Sequence, residues 1–228
     1  MTTVVAALNY FFGPLQGVDQ DIQNSLLQAI KRAASPCKHR AKIQPHHMRT
    51  IINLGNADTD PKVIQAAALA LIQFKALLRI SEAQNLRLAD IKHAGSGQWQ
   101  VNIKKSKTDQ GSKGALVAFR FSEAEAALWS KYIGSVSNAT FLFQSGSTGL
   151  LAISTLQDRL KHLFNKANLQ HFSLTSHSFR GGAATQALNM GVHQVDVMQA
   201  GRWSTLSGFR NYIAPKILPI STSPSSGI

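Results

Sequence analysis

Apolar residues recur at helical spacing along most of the chain. In the first such stretch they recur every four positions, at Ile22, Leu26 and Ile30. This spacing predicts a helix that runs to about Ala33. Proline is tolerated in a first helical turn and glycine often follows a last one, so a second helix is predicted from Pro45 to a stop at Gly55. An Asp-Pro pair at 60–61 predicts a third helix, and the nearly uniform apolar surface of Val63–Leu78 indicates that this helix is buried.

The pattern changes between Trp99 and Phe121. Apolar and polar residues alternate there on both sides of the polar stretch KKSKTDQGSKG, which predicts a β-hairpin with a long, lysine-rich tip. Capping-box spacing predicts a helix after each of two pairs, Ser122–Glu125 and Ser154–Gln157. Further helices are predicted over 176–191, 194–200 and 205–212. The expected fold class is mainly α with a small antiparallel β-sheet (α+β).

Charge adds a partner to this picture. The 228 residues include 24 Lys and Arg against 11 Asp and Glu, which gives a net charge of +13. A chain this basic is expected to bind a polyanion, and nucleic acid is the default choice. Six of the basic residues occur without any acid between 31 and 49, at Lys31, Arg32, Lys38, Arg40, Lys42 and Arg49. This run is either a solvated charged segment or a linker that crosses a phosphate backbone.

Other classes of protein are excluded by composition. A single cysteine excludes an intramolecular disulfide framework and a cysteine-based zinc site. His46 and His47 lie near Cys37, but adjacent histidines point in different directions on a helix, so no metal site is predicted there. No apolar run approaches the roughly 20 residues of a membrane span, and no basic-then-apolar leader is visible. We therefore expect an intracellular protein without a signal peptide.

Two motifs place arginine beside a second chemically active side chain. In LLRISE, Arg79 ends an apolar helix, where its charge needs a partner, and Glu82 lies three residues later. In HSFRGGAAT, His177 and Arg180 are three residues apart and share one face of a helix. The two glycines that follow would let another backbone or a DNA strand approach closely. Taken alone, each motif is also explained by an ordinary structural pair at a helix end.

Two further features complete a set. Trp203 follows His177 by 26 residues and Tyr212 follows Trp203 by nine. A tyrosine in this position is, by itself, more often a packing residue than a nucleophile. The tip of the predicted hairpin carries four lysines that would fit a DNA groove, at Lys104, Lys105, Lys107 and Lys113.

Together these positions resemble the active site of the tyrosine recombinase (phage integrase) family, and most of all its Cre-like branch. The matching positions, in chain order, are Arg79, Lys107, His177, Arg180, Trp203 and Tyr212. The segments that carry the resemblance are LLRISEAQNLRLADI, VNIKKSKT, HSFRGGAATQALNMGV and VMQAGRWS with NYI. Many members of the family have His where the Cre-like branch and this chain have Trp. The resemblance covers about Pro45 to Ile213 and implies the catalytic-domain fold of tyrosine recombinases.

The resemblance implies a metal-free and cofactor-free reaction at one DNA phosphate. Tyr212 would attack the phosphorus, which leaves a 3′-phosphotyrosine and a free 5′-hydroxyl. Arg79 and Arg180 would compensate the charge that develops on the phosphate oxygens. Lys107, with Lys105 as the second choice, would protonate the leaving oxygen.

The remaining residues of the implied site assist this step. His177 would act as general base or by hydrogen bonding. Trp203 would hold the phosphate with its indole N–H and pack against the helix of Tyr212. Glu82 would orient Arg79.

The expected partners are double-stranded DNA and further copies of the chain, as a tetramer on DNA and a monomer when free. The residues expected to contact DNA are Lys31, Arg32, Lys38, Arg40, Lys42, Lys104, Lys105, Lys113 and Arg202. Relaxation of supercoils in the manner of type IB topoisomerases, and DNA binding without completed recombination, remain alternatives. A basic RNA-associated protein would match the charge but not the spacing.

Four regions are expected along the chain. Residues 1–34 would be the remnant of an N-terminal core-binding helical domain, 35–44 a basic linker, 45–213 the catalytic domain and 214–228 an irregular tail. A chain of this kind would be either an excised catalytic piece or a naturally reduced relative. Pro215 and Pro219 oppose a long C-terminal helix, which would weaken contacts between copies.

Overall fold

The computed structural model describes residues 2–33, 41–104, 114–136, 140–145 and 149–213. The chain divides into two compact units, residues 1–38 and 39–228. The division falls within the predicted basic linker. The assignment of residues 1–34 to a core-binding remnant stays a prediction.

The first unit contains two helices, α1 (Thr2–Phe12) and α2 (Gly17–Ala33). Helix α2 ends at Ala33, as the apolar spacing predicts, but it begins at Gly17, five residues before Ile22. Large apolar side chains on both helices are exposed, among them Phe11, Phe12 and Val18.

The second unit is mainly helical, as predicted. Its helices are α3 (Pro45–Ala57), α4 (Pro61–Lys75), α5 (Ile80–Gln84), α6 (Glu123–Ser135), α7 (Ile153–Lys166), α8 (Ser176–Asn189), α9 (Gln194–Ala200) and α10 (Leu206–Arg210). Two 3-10 turns occupy Leu88–Asp90 and Gln170–Phe172. Its strands are β1 (Ile91–Gly95), β2 (Gln98–Ile103), β3 (Ala115–Arg120), β4 (Gln144–Ser145) and β5 (Gly149–Leu150). No helix in the described ranges is both long enough and apolar enough to span a membrane.

The central helix is α4, which is buried on nearly every side and contacts α3, α6, α7 and α8. The Asp60 carboxylate accepts a hydrogen bond from the backbone N–H of Lys62 and caps the first turn. The predicted end at Leu78 is wrong, because the helix stops at Lys75. Leu77 adopts a left-handed conformation with a φ of 49°, which turns the chain before Arg79.

Two predicted helix boundaries are also wrong. Gly55 lies inside α3, which continues to Ala57. A Cβ atom at this position would come within 2.6 Å of the Ala67 Cβ atom on α4. The glycine is needed for close packing of α3 against α4. Ser154 does not cap a helix either, because α7 begins at Ile153 with Ala152 as the capping position. The box predicted for Ser122 and Glu125 is confirmed, at 2.8 and 3.4 Å.

The larger sheet is antiparallel in the order β1-β2-β3. β2 and β3 form the predicted hairpin, with Ile103 opposite Ala115. Its tip, residues 105–113, lies outside the described residues. The sequence pattern missed β1, whose residues are largely exposed and do not alternate. Val101, Ile103 and Val117 face the core from this sheet, which fixes the end from which the lysine-rich tip departs.

Candidate active site

A buried carboxylate, Glu82, organises the candidate site. Because the chain turns at Leu77, Arg79 directly precedes α5 and Glu82 lies in the first turn of that helix. One carboxylate oxygen, Oε2, accepts a hydrogen bond from the Arg79 backbone N–H at 2.9 Å. The other, Oε1, lies 2.7 Å from the Arg79 guanidinium. The predicted pair is therefore present, with Glu82 only 3% exposed.

Two more guanidinium groups converge on this carboxylate. Arg202, in the turn after α9, lies 2.7 Å from Glu82 Oε2. Arg180, on α8, lies 3.8 Å from the same oxygen. Three cations thus surround one anion, and the cluster keeps an excess of positive charge that suits a phosphate.

Arg180 is held mainly by backbone oxygens. Its Nη1 donates to the carbonyl of Leu77 at 2.7 Å, and its Nη2 donates to the carbonyl of Gly201. The guanidinium carbon lies 4.1 Å from the ring centre of Trp203 and 5.4 Å from that of Tyr212. At 1% exposure, this side chain has one defined orientation.

The glycines after Arg180 allow a backbone approach, the first of the two readings of this motif. A Cβ atom at Gly181 would lie 2.6 Å from the carbonyl oxygen of Tyr212. A Cβ atom at Gly182 would collide with the backbone of Ile43. α8 therefore packs directly on the segment that carries Tyr212.

The predicted nucleophile and base are neighbours. The Tyr212 hydroxyl oxygen lies 3.4 Å from Nδ1 of His177, and the direction of the proton depends on the imidazole tautomer. Trp203 packs edge-on against Tyr212 with ring centres 5.3 Å apart, and against Phe209 with ring centres 5.0 Å apart. Four of the six predicted positions, on α8 and around α10, are thus brought together, and Arg79 is a fifth because it shares Glu82 with Arg180.

Burial and charge shift the titration of this cluster. Burial raises the pKa of Glu82, but the charge of Arg202 and the hydrogen bond from Arg79 outweigh it, so the pKa is lowered. Burial lowers the pKa of Arg180 and of Arg202. Nε of each of these two arginines and Nε1 of Trp203 are buried N–H groups without a hydrogen-bond partner within the described part of the chain. Such donors favour an incoming anion.

The predicted lysines are placed only in part. Lys107, Lys105 and Lys113 lie outside the described residues. Lys104, at the end of β2, pairs with Asp90 at 2.6 Å. Lys42 donates to the carbonyl of Asn211 at 3.3 Å, next to Tyr212.

The other predicted DNA contacts occupy different surroundings. Arg32 is exposed on α2, and nothing is described for the side chain of Lys31. Lys38 and Arg40 fall outside the described residues. Arg202 is directed into the Glu82 cluster, with 9% of its side chain exposed. The backbone carbonyls of Leu77 and Gly201 that accept hydrogen bonds from Arg180 could not be predicted from the sequence, because every residue has a carbonyl.

Comparisons with known proteins identify the family and the fold. The family model described as the phage integrase family matches residues 41–217. Recombinase cre of Escherichia phage P1 is 26% identical in an alignment 218 positions long, and the aligned part covers 86% of this chain and 63% of that protein. The chain thus spans less than two thirds of the length of this curated relative.

Solved structures share the fold. The XerH site-specific recombinase bound to its difH substrate, in a pre-cleavage complex, gives a TM-score of 0.65 at 16% identity, over 80% of this chain and 53% of that one. The XerA recombinase gives 0.62 at 21% identity, over 78% and 60%. Because the family model matches most of the sequence, including the segments that form the arginine cluster and the Tyr212–His177 contact, the chain belongs to the phage integrase family.

Proposed function

We propose that this chain cuts and rejoins DNA strands at specific sites through a covalent 3′-phosphotyrosine intermediate. The observation that carries the proposal is the contact of the Tyr212 hydroxyl with His177, 3.4 Å away, beside the buried Arg180. A tyrosine that served packing alone would not need an imidazole at its hydroxyl and a guanidinium over its ring. The family membership supports the same reaction.

In the proposed step, the Tyr212 oxygen attacks phosphorus and the bond from phosphorus to the 5′ oxygen breaks. His177 accepts the hydroxyl proton, or shares it through the hydrogen bond. Arg79 and Arg180 face the phosphate oxygens, where charge develops. The leaving 5′ oxygen takes a proton from Lys107, the residue at the family position. Attack by a 5′-hydroxyl on the phosphotyrosine reverses the step, so strands are exchanged without ATP.

The unpartnered donors of the cluster support a phosphate as the occupant. Trp203 Nε1 and Arg180 Nε are buried without a hydrogen-bond partner in the described structure. A phosphate oxygen would satisfy both the missing hydrogen bonds and the excess charge. The proposal therefore includes the role that the family resemblance implies for Trp203, which is to donate a hydrogen bond from its indole N–H to the phosphate.

Double-stranded DNA is the proposed substrate. One structural neighbour is bound to its difH substrate, another, a Tn1549 transposon integrase, is in complex with circular intermediate DNA, and the chain carries a net charge of +13. Phosphate contacts of this kind give affinities that fall steeply with salt. Measured between about 50 and about 200 mM salt, a flat affinity would contradict a phosphate-dominated interface. Assembly into a tetramer on DNA is proposed on family grounds only.

A covalent adduct is the direct test of this reaction. The chain is incubated with a library of nicked, end-labelled duplexes of randomised sequence, in which the released 5′ end diffuses away and traps the intermediate. We expect a labelled band that survives denaturing electrophoresis and is lost in Tyr212→Phe. Tyr10→Phe is the matched control, since Tyr10 is 84% exposed in α1, and it should leave the band unchanged.

Two outcomes would change the assignment. If the unmodified chain forms no adduct with the library of nicked duplexes, or if Tyr212→Phe forms as much adduct as the unmodified chain, the enzymatic proposal is contradicted and DNA binding remains as the function. Adduct formation together with relaxation of a supercoiled plasmid of unrelated sequence would favour the topoisomerase alternative, because a site-specific recombinase needs its own target.

A further inference from the structure

Arg202 has an unusual backbone conformation for its residue type. It lies in the turn between α9 and α10 with a φ of 58°. This is the left-handed region, which residues other than glycine rarely adopt. The turn is held by backbone hydrogen bonds from Arg202 N to the carbonyl of Gln199 and from Trp203 N to that of Met198, at 3.0 and 2.9 Å. A residue kept in such a conformation needs compensating contacts from the surrounding structure.

The side chain of Arg202 makes these contacts with two distant parts of the fold. Its Nη2 donates to Glu82 Oε2 at 2.7 Å and to the carbonyl of Leu77 at 3.0 Å. Its Nη1 donates back to the carbonyl of Ala200 at 2.8 Å. The guanidinium therefore ties the turn after α9 to the turn after α4, more than a hundred residues earlier in the chain.

Both neighbours of Arg202 in the sequence contact Arg180. The carbonyl of Gly201 accepts a hydrogen bond from Arg180. The ring of Trp203 lies 4.1 Å from the Arg180 guanidinium carbon. The carbonyl of Leu77 accepts from both arginines. A shift of the Arg202 turn would thus move two of the groups that orient Arg180.

We propose that Arg202 is a positioning residue, which fastens the 200–203 turn to Glu82 and Leu77 so that Gly201 and Trp203 hold Arg180 in place. The proposal rests on the strand-cleavage function proposed above. It is an alternative to the sequence-based expectation that Arg202 contacts DNA, and the Kd measurement below decides between them. Its charge also adds to the cationic cluster around Glu82.

Three substitutions distinguish the effect of the Arg202 side chain from that of its backbone conformation. Arg202→Gly removes the contacts while glycine accepts the positive φ without strain. Arg202→Gln removes the charge, and Arg202→Lys keeps it but cannot form the same fork of hydrogen bonds. Arg120→Gln, at the exposed end of β3, is the control for the loss of one positive charge.

Adduct formation at saturating DNA is the first measurement. We expect Arg202→Gly to react about 10- to 100-fold more slowly, because small misplacements of a charged group are costly in rate. Arg202→Lys should lie between it and the unmodified chain, and millimolar guanidinium should restore part of the rate of Arg202→Gly only. The Kd for duplex should change no more than in Arg120→Gln. A weaker Kd with an unchanged saturated rate would overturn the proposal in favour of a direct DNA contact.

The second measurement does not depend on catalysis. The indole N–H resonance of Trp203 is assigned by its disappearance in Trp203→Phe. In Arg202→Gly this resonance should shift or broaden, while those of Trp99 and Trp129 stay in place. An unchanged Trp203 resonance would refute the positioning role. If the unmodified chain formed no adduct, the proposed function would fail, and this spectrum would still decide whether Arg202 fixes the turn.

Discussion

Two turns in this protein begin with the same arrangement of an arginine and an acid. The Arg79 turn comprises Arg79–Glu82, and the Arg87 turn comprises Arg87–Asp90. In each, the carboxylate three residues later accepts a hydrogen bond from the arginine backbone N–H, at 2.9 Å for Glu82 and 3.0 Å for Asp90. Both carboxylates are buried, with 3% and 5% exposure. Local sequence and local structure thus barely distinguish the two turns.

Their tertiary neighbours differ. Glu82 meets the guanidinium groups of Arg79, Arg180 and Arg202, and the result is a buried cluster with excess positive charge. Asp90 meets the ammonium group of Lys104, whose side chain is 59% exposed, at the root of the β2–β3 hairpin. The Arg87 guanidinium lies over the ring of Phe141 at 5.6 Å. The same capping motif therefore organises a cluster of arginines in one place and pairs with the hairpin in the other.

The largest expected difference is between the two arginines. Arg79→Lys should lower the rate of adduct formation about 100- to 1000-fold, because a lysine cannot reproduce the forked donor aimed at the phosphate. Arg87→Lys should stay within about threefold, since its guanidinium packs on the ring of Phe141 and not on the Glu82 carboxylate. The rates are compared at saturating DNA. Equal losses in the two variants would mean that the Arg87 turn belongs to the active site.

The two carboxylates should affect different parts of the cleavage step: Glu82 the positioning of the arginines, and Asp90 the protonation of the leaving 5′ oxygen. Glu82→Gln should slow adduct formation about 10- to 100-fold by loosening the arginines. Asp90→Asn should cost about fivefold if Lys107, which follows β2 in the sequence, is the proposed general acid, because its misplacement would slow departure of the 5′ oxygen.

A duplex with sulfur in place of the bridging 5′ oxygen distinguishes these causes. A thiolate leaves without a proton, so this substrate should restore Asp90→Asn and the control Lys107→Ala to the rate of the unmodified chain. Glu82→Gln should stay slow on it. Restoration of Glu82→Gln instead would place Glu82 in the proton-transfer step.

Acid stability is expected to depend on the Glu82 cluster. In the folded chain the pKa of Glu82 is below its ordinary value of 4.5, so the unfolded chain binds more protons between these two values. The stabilisation is complete above pH 4.5 and is lost as the pH falls through the folded pKa, by about 1.4 kcal/mol for each pH unit. Urea unfolding followed by tryptophan fluorescence from about pH 6 to about pH 3 should show this slope, and Glu82→Gln should flatten it. An identical slope in the variant would contradict the lowered pKa.

The smallest expected effect concerns the exposed partner of Asp90. Lys104→Met should change the free energy of unfolding by less than about 1 kcal/mol, because the exposed ammonium group is already well solvated. Lys75→Met, which breaks the pair with Glu125 at 2.7 Å, is the control. Adduct formation should change less than about threefold in Lys104→Met. A fall as large as that of Lys107→Ala would move the general acid to Lys104.

Several features of the fold and site are set by neighbours close in sequence, and these were predicted. The helix starts at Pro45 and at Pro61 depend on local backbone chemistry, as does the capping box at Ser122. His177 and Arg180 share a helix face because they are three residues apart. The order and spacing of such residues were sufficient to identify the family.

Only the tertiary structure decided what each charged group does. Gly55 resembles a helix stop but permits close packing of α3 on α4. Arg202 resembles a DNA contact but is paired with Glu82, 120 residues away. Both outcomes depend on which surfaces meet when the core packs, and burial makes an unpaired charge or a void costly. The sequence by itself determined the set of candidate reactive residues, whereas packing determined which of the two arginine–acid turns joined Arg180 and Arg202 in a buried cationic cluster.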